Sequence, residues 1–297
     1  MTMNIAYFVK TRKAMGLSQK ELCAGICTQA TLSRFEKNGQ VPAIKILIRL
    51  CNRLNLSLAD LFPKVEQASS ALNQKMTDVE FKLITMDYQS AQQALQQIDF
   101  DQITNDDQRL RYLYLSGYLT TLLAGKNTDA LFAFSQILTS QAKEHTEIYN
   151  LLALTGSGMI YAQKQENEKA DFYFNRVLKE IYDYKIHTTT DIWRVLNIVY
   201  NCGKFYSEVQ EYETSDALLN YAYKICADNH VTYYLARVVF RLAKNKYAQH
   251  QPITEIYADL NDSCAFAKLN GNTQELAAIR AFYRHLQIAQ ATGTQAE

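Results

Sequence analysis

The chain has 297 residues, 48% of them apolar, enough to bury the cores of two unequal domains, which excludes a small scaffold that needs disulfide staples. Its net charge of +1 hides an asymmetry: residues 1–63 hold nine Lys or Arg against three Asp or Glu, a net of +6, whereas residues 64–297 carry −5. A basic head on an acidic body suits a nucleic-acid-binding module joined to a part that binds none. The opening MTMNIAYFVKTRK lacks the apolar core of a signal peptide, and no run of about 18 apolar residues could span a bilayer. A soluble, cytoplasmic chain is therefore expected. Cys23, Cys27, Cys51, Cys202, Cys226 and Cys264 include no C-x-x-C pair and read as small buried hydrophobes. Cys23 and Cys27, one helical turn apart, also admit a redox or metal role.

Helix 1 is predicted over Asn4–Met15, with Ile5, Phe8 and Val9 inward and Lys10, Arg12 and Lys13 outward; Gly16 ends it. Ser18 and Glu21 form a capping box for helix 2. Thr28 caps helix 3, its hydroxyl accepting from a free amide of the first turn. Leu22, Ile26, Leu32 and Phe35 can then point inward together, leaving Gln29, Ala30, Ser33 and Arg34 outward near a helix N-terminus. Short polar groups with Gln and Arg on such a face match the base edges of a DNA major groove. Asn38-Gly39 closes helix 3. Helix 4, Ile44–Leu54, places Ile44, Leu47, Leu50 and Cys51 at core spacing, and Asn55 breaks it. Ser57 caps a short fifth helix, Leu58–Phe62, which Pro63 stops.

Residues 64–71 are polar and read as a linker. From Pro63 to Pro252 there is no proline, few glycines and no strand-type alternation, so an all-α array follows. Ala130-x₃-Phe134-x₃-Leu138, Ala170-x₃-Phe174-x₃-Leu178 and Ala217-x₃-Tyr221-x₃-Ile225 repeat a small–aromatic–aliphatic spacing. Leu154, Gly158 and Tyr161 precede the middle copy at the offsets of a tetratricopeptide helix pair. About five helix pairs between Leu72 and Gln290, stacked as a curved α-solenoid with a concave inner face, are expected.

The first 63 residues resemble a lambda-repressor-like (XRE-type) helix-turn-helix domain. The signature is Leu17-Ser18-Gln19-x-Glu21-Leu22, then Thr28-Gln29-x-x-Leu32-Ser33-x-x-Glu36, Pro42, and Leu58-x-x-Leu61-Phe62. Joined to a tetratricopeptide-like body over residues 72–297, the layout resembles the peptide-pheromone-responsive regulators of Gram-positive bacteria, the Rgg, NprR, PlcR and PrgX group. Gly25-Ile26-Cys27-x-Gln29 and Tyr200-Asn201-x-x-Lys204 look most like the PlcR branch. The resemblance implies a homodimer on an inverted-repeat operator in double-stranded DNA. It also implies a short signalling peptide in the concave face of the repeats, and no cofactor or catalytic site.

In the head, Gln19 starts helix 2, where side chain and helix dipole can grip a phosphate; the resemblance adds that it braces the first residue of the recognition helix. Gln29 can pair bidentately with adenine and Arg34 can reach a guanine or a phosphate. Ala30 and Thr31 offer methyl groups, and Ser33, Lys37 and Asn38 suit phosphate. With Thr28 these form the expected DNA-contact set. In the body, an extended peptide needs donors and acceptors for its amides and cations for its carboxylates. Arg194, Asn197, Asn201 and Lys204 recur at steps of three or four along the helix Asp191–Phe205. Tyr234, Arg237 and Arg241 do so along Tyr233–Lys244, and Arg111, Tyr114 and Asn150 belong to earlier repeats.

An enzyme is not expected. Thr155-Gly156-Ser157-Gly158 lacks the G-x-S-x-G frame and a preceding strand. His145, His187, His230, His250 and His285 lack ligand spacing, and no metal site is read. The alternative reading is a DNA-binding regulator whose body binds a protein partner or only dimerises.

Overall fold

A computed structural model describes residues 3, 5–56, 61, 71–103, 105–140, 147–186 and 188–291. The chain divides into two compact units, Met1–Ser70 and Ala71–Glu297, and every regular element among the described residues is a helix.

The first unit holds α1 (Ile5–Ala14), α2 (Gln19–Cys23), α3 (Gln29–Asn38) and α4 (Ile44–Arg53). Each boundary has a local cause. Ser18 and Glu21 form the reciprocal capping box, the Thr28 hydroxyl accepts from Thr31 N–H, and Gly39 ends α3 in the left-handed region at φ 70°. Phe8, Leu22, Leu32, Phe35, Leu47 and Leu50 are all fully buried, with Phe8 edge-on to Phe35 at 5.2 Å. Two expectations are corrected. Arg12 is 8% exposed rather than outward, because its guanidinium is bound to Glu36. Ile44 is 54% exposed, since α4 begins there and the core is filled from Leu47 onward. Of the expected fifth helix only Leu61, buried in the same core, is described. The rest of that helix and nearly all of the expected linker lie outside the described residues.

Among the described residues, the second unit is five helical hairpins and a last helix, with a 3-10 turn at Phe100–Gln102. The pairs are α5 (Ala71–Ile84) with α6 (Tyr88–Gln96), α7 (Asp106–Leu122) with α8 (Asn127–Leu138), and α9 (Glu147–Gln163) with α10 (Asn167–Ile181). Next come α11 (Thr189–Glu208) with α12 (Tyr212–Asp228) and α13 (Leu235–Ala248) with α14 (Ile253–Leu269); α15 spans Thr273–Ala291. Several hairpin turns share one device. Met86, Gln165 and Gln210 take positive φ (66°, 61° and 66°), and the following amide bonds back to the last helical turn, as from Asp87 to Lys82 and from Glu166 to Tyr161. These are Schellman-type ends built on non-glycine residues.

The repeat motif works through close approach. A Cβ on Gly156 would stand 2.3 Å from Phe134, and one on Gly117 2.5 Å from the same ring, so Phe134 of α8 is seated against both α7 and α9. Gly158 bears the same relation to Phe174. Gly156, Ser157 and Gly158 thus lie mid-helix as packing positions. The third copy is corrected in register. Ala217 is exposed, whereas Ser215 and Leu219 are fully buried, Leu219 against Gly203. The repeat there reads Ser215-x₃-Leu219.

The odd-numbered helices α7, α9, α11 and α13 form a contiguous inner layer. The array curls far enough for α5 to meet its fourth and fifth hairpins. Phe81 stacks edge-on to Tyr233 at 5.3 Å and lies 5.7 Å from Trp193, while Arg237 donates to the carbonyl of Ile84, 153 residues away.

Candidate nucleic-acid interface and ligand cavity

In the head, α3 presents Gln29, Ala30, Arg34, Lys37 and Asn38 to solvent, with Thr31 and Ser33 half-buried and the cap Thr28 exposed. The Thr31 hydroxyl lies 2.9 Å from that of Thr28. Arg34 Nε approaches only the Ala30 carbonyl, at 3.3 Å, leaving the rest of its fork outward. Gln19 is not directed at Gln29. Its Nε2 donates to Glu36 at 2.8 Å, and Glu36 also receives two bonds from Arg12, at 2.7 and 2.9 Å. One carboxylate therefore joins α1, α2 and α3. The turn between α2 and α3 is held from α4. Arg53 Nη1 donates to the carbonyls of Leu22 (3.0 Å) and Ala24 (2.6 Å), and Arg49 Nη2 to that of Gly25 (3.0 Å). Sequence reasoning passed over Arg49 and Arg53, since nothing local marks an arginine as capping a turn more than twenty residues earlier.

In the body, the inner layer and the end of α5 enclose a cavity of about 190 Å³. Four residues of the expected peptide set line it: Asn197, Asn201 and Lys204 from α11 and Arg237 from α13. Asn201 donates to the carbonyl of Asn197 (2.8 Å) and to its side-chain oxygen (3.1 Å). Lys204 and Arg241 share Glu208, at 3.7 and 3.5 Å. The aromatic and aliphatic wall, including Leu83, Tyr118, Phe174 and Phe205, was not read from sequence as part of the site, because these residues carry the signature of core.

The remaining expected residues are placed elsewhere. Arg111 donates from Nε and Nη2 to Glu80 Oε2 (2.9 and 2.6 Å), and Arg194 from Nε to Glu80 Oε1 (2.8 Å) and from Nη2 to Oε2 (3.2 Å). Glu80 is wholly buried. Burial alone would push its carboxyl up, but Arg194 and Arg111 outweigh that and hold it below the usual range. Arg194 also lies over the Tyr149 ring at 4.8 Å. Tyr114 is buried edge-on to Tyr118, Asn150 is half-buried away from the cavity, and Tyr234 is buried behind Arg237. These side chains face one another because α5 lies against the inner layer, which no spacing along α11 reveals. Among the described residues no cluster of His, Cys, Asp or Glu could hold a metal, and no helix is long and apolar enough to cross a membrane.

Residues 10–61 match the helix-turn-helix family HTH_3. No curated protein matches the sequence. Among solved structures, the chain is similar to PlcR from Bacillus thuringiensis in complex with the peptide PapR7 and DNA, at 16% identity and a TM-score of 0.63 over 94% of this chain and 99% of that one. It is also similar to ComR from S. thermophilus in complex with DNA and its signalling peptide ComS (17%, 0.55, 92% and 96%). A third is the competence regulator ComR from Streptococcus vestibularis in complex with its cognate signaling peptide XIP (15%, 0.52, 93% and 96%). The class is thereby defined: a helix-turn-helix head followed by a helical-repeat body, end to end in the fold of PlcR and ComR.

Proposed function

We propose that this chain is a sequence-specific DNA-binding transcription regulator, with no catalytic activity of its own, whose body is controlled by a short peptide. Residues 1–63 read the operator through Gln29 and Arg34 and the methyl groups of Ala30 and Thr31, with Gln19, Ser33, Lys37 and Asn38 for phosphates and Thr28 completing the contact set. Residues 72–297 take the peptide and carry the dimer contacts, joined to the head through residues 64–71. The observation that carries this reading is one chain with an outward glutamine-led helix and a polar-rimmed cavity, on a fold whose solved examples hold DNA and a peptide. At about 190 Å³ the cavity suits a single anchoring side chain, since whole small-molecule sites run to ~300–1,000 Å³. The rest of a peptide would then lie along Asn197, Asn201 and Lys204.

The test is duplex binding by fluorescence anisotropy across a salt series. The probes are promoter fragments flanking the gene and peptides from the tails of small secreted precursors encoded beside it. Salt-dependent, sequence-selective binding is expected. Gln29→Ala should cost ~1–3 kcal/mol and relax one operator position; wild-type affinity and selectivity in that variant would remove α3 from the reading. A chain that binds DNA but shifts neither affinity nor Tm with any such peptide would favour a body that engages a protein partner or only dimerises.

A further inference from the structure

Four arginines of the described residues are less than 9% exposed: Arg12, Arg111, Arg194 and Arg237. Three are matched to carboxylates, Arg12 to Glu36 and the other two to Glu80. Arg237 is the exception. Among the described residues it has no carboxylate within ion-pair distance, and Glu275 acts on it only from further away. Its Nη2 donates to the Ile84 carbonyl at 2.6 Å, and its buried Nε has no acceptor. The charge rests on the faces of Tyr234 (4.4 Å) and Tyr200 (5.6 Å). A buried guanidinium without an anion is costly, and this one borders the cavity. Of the other charged residues there, Glu208 is already shared by Lys204 and Arg241. Asn197, Asn201 and Gln163 are the neutral polar part of the wall, and Leu83, Met86, Leu122, Met159, Phe174 and Phe205 make an apolar, adaptable part of it.

We propose that Arg237 is the carboxylate-receiving group of this cavity, and that the ligand is a peptide placing a carboxylate beside one large apolar side chain. The side chain fills the space between Leu83, Met159 and Phe174. The carboxylate takes the open side of the Arg237 fork and completes the pairing that the other three buried arginines already have. This rests on the peptide reading of the cavity. The carboxylate is either a peptide's own C-terminus or an Asp or Glu next to the apolar residue.

Three pools of synthetic apolar-rich heptapeptides separate these sources: free acids lacking Asp and Glu, the same peptides amidated, and amidated peptides with one Asp or Glu beside an apolar residue. Each is incubated with the full-length chain, and retained peptides are counted by mass spectrometry after gel filtration. One carboxylate-bearing pool should be retained about tenfold over the amidated acid-free pool, the order expected of a charge-assisted hydrogen bond. Arg237→Gln should abolish that ratio, and Arg237→Lys should keep part of it, having the charge without the fork. Ala162→Phe, which fills the cavity and leaves Arg237 in place, should lose every pool at an unchanged Tm; it and Arg237→Lys carry the test if Arg237→Gln melts early. Equal retention of all three pools, or a ratio that survives Arg237→Gln, overturns the carboxylate assignment and leaves the peptide reading standing. Retention of none overturns both.

Discussion

The two units each bury a carboxylate under side-chain donors, one arginine and one glutamine in the head and two arginines in the body, and they do it at different ranges. In the head, Glu36 collects Arg12 and Gln19 from 24 and 17 residues away. In the body, Glu80 collects Arg111 from 31 residues away and Arg194 from 114. The first arrangement tightens a small domain and leaves one face of α3 free. The second pins the first hairpin to the fourth, so that the wall of the cavity and the curl of the array become one structure. Short-range pairing makes a small self-contained domain, and long-range pairing makes a curled array whose cavity depends on a contact across it.

The largest expected effect tests that dependence. Glu80→Ala removes the carboxylate shared by two buried guanidiniums, leaving Arg194 only its 3.9 Å contact with Asp191 and Arg111 only the Thr77 hydroxyl, and should destabilise the body by about 3–5 kcal/mol. Denaturant unfolding would show it, and an unchanged midpoint would mean that the pairing across the array adds nothing to the body's stability. A smaller effect comes from overpacking: Gly156→Ala drives a methyl into the Phe134 ring and should cost about 1–3 kcal/mol. An unchanged midpoint would mean that α8 shifts freely against α9.

The carboxylates also make the comparison visible in pH. Glu80 has a depressed pKa in the folded chain, so its unfolded form binds more protons at acid pH. Its contribution to stability is complete above the unfolded value of about 4.3 and is lost as pH falls through the lower folded value. The body's Tm should therefore drop below about pH 4 with a slope that Glu80→Gln reduces; an identical slope in the variant would assign the acid transition to other groups. The smallest effect tests the corrected repeat register. Ala217→Lys, on an exposed position, should stay within about 0.5 kcal/mol of wild type, and a large loss would restore Ala217 to the core.

Much of the fold is legible because helix ends are local events. Ser18, Thr28 and Gly39 act on amides within a few residues of themselves, and the Ala130–Phe134 and Ala170–Phe174 spacings lie within single helices. The face of α3 follows from the same locality, since Leu32 and Phe35 turn inward and leave Gln29 and Arg34 no other side. The non-glycine turns at Met86, Gln165 and Gln210 are not legible, because nothing in a glutamine or methionine announces a positive φ.

Within the inner layer the limit is of another kind. The stripe Arg194, Asn197, Asn201 and Lys204 is one continuous row on α11, yet Arg194 is consumed by Glu80 while its neighbours border the cavity. Periodicity puts polar groups on the same side of a helix and says nothing of what stands opposite. That is decided by the curl of the array, which brings α5 against α11 and α13, gives Arg194 a carboxylate and gives Arg237 none.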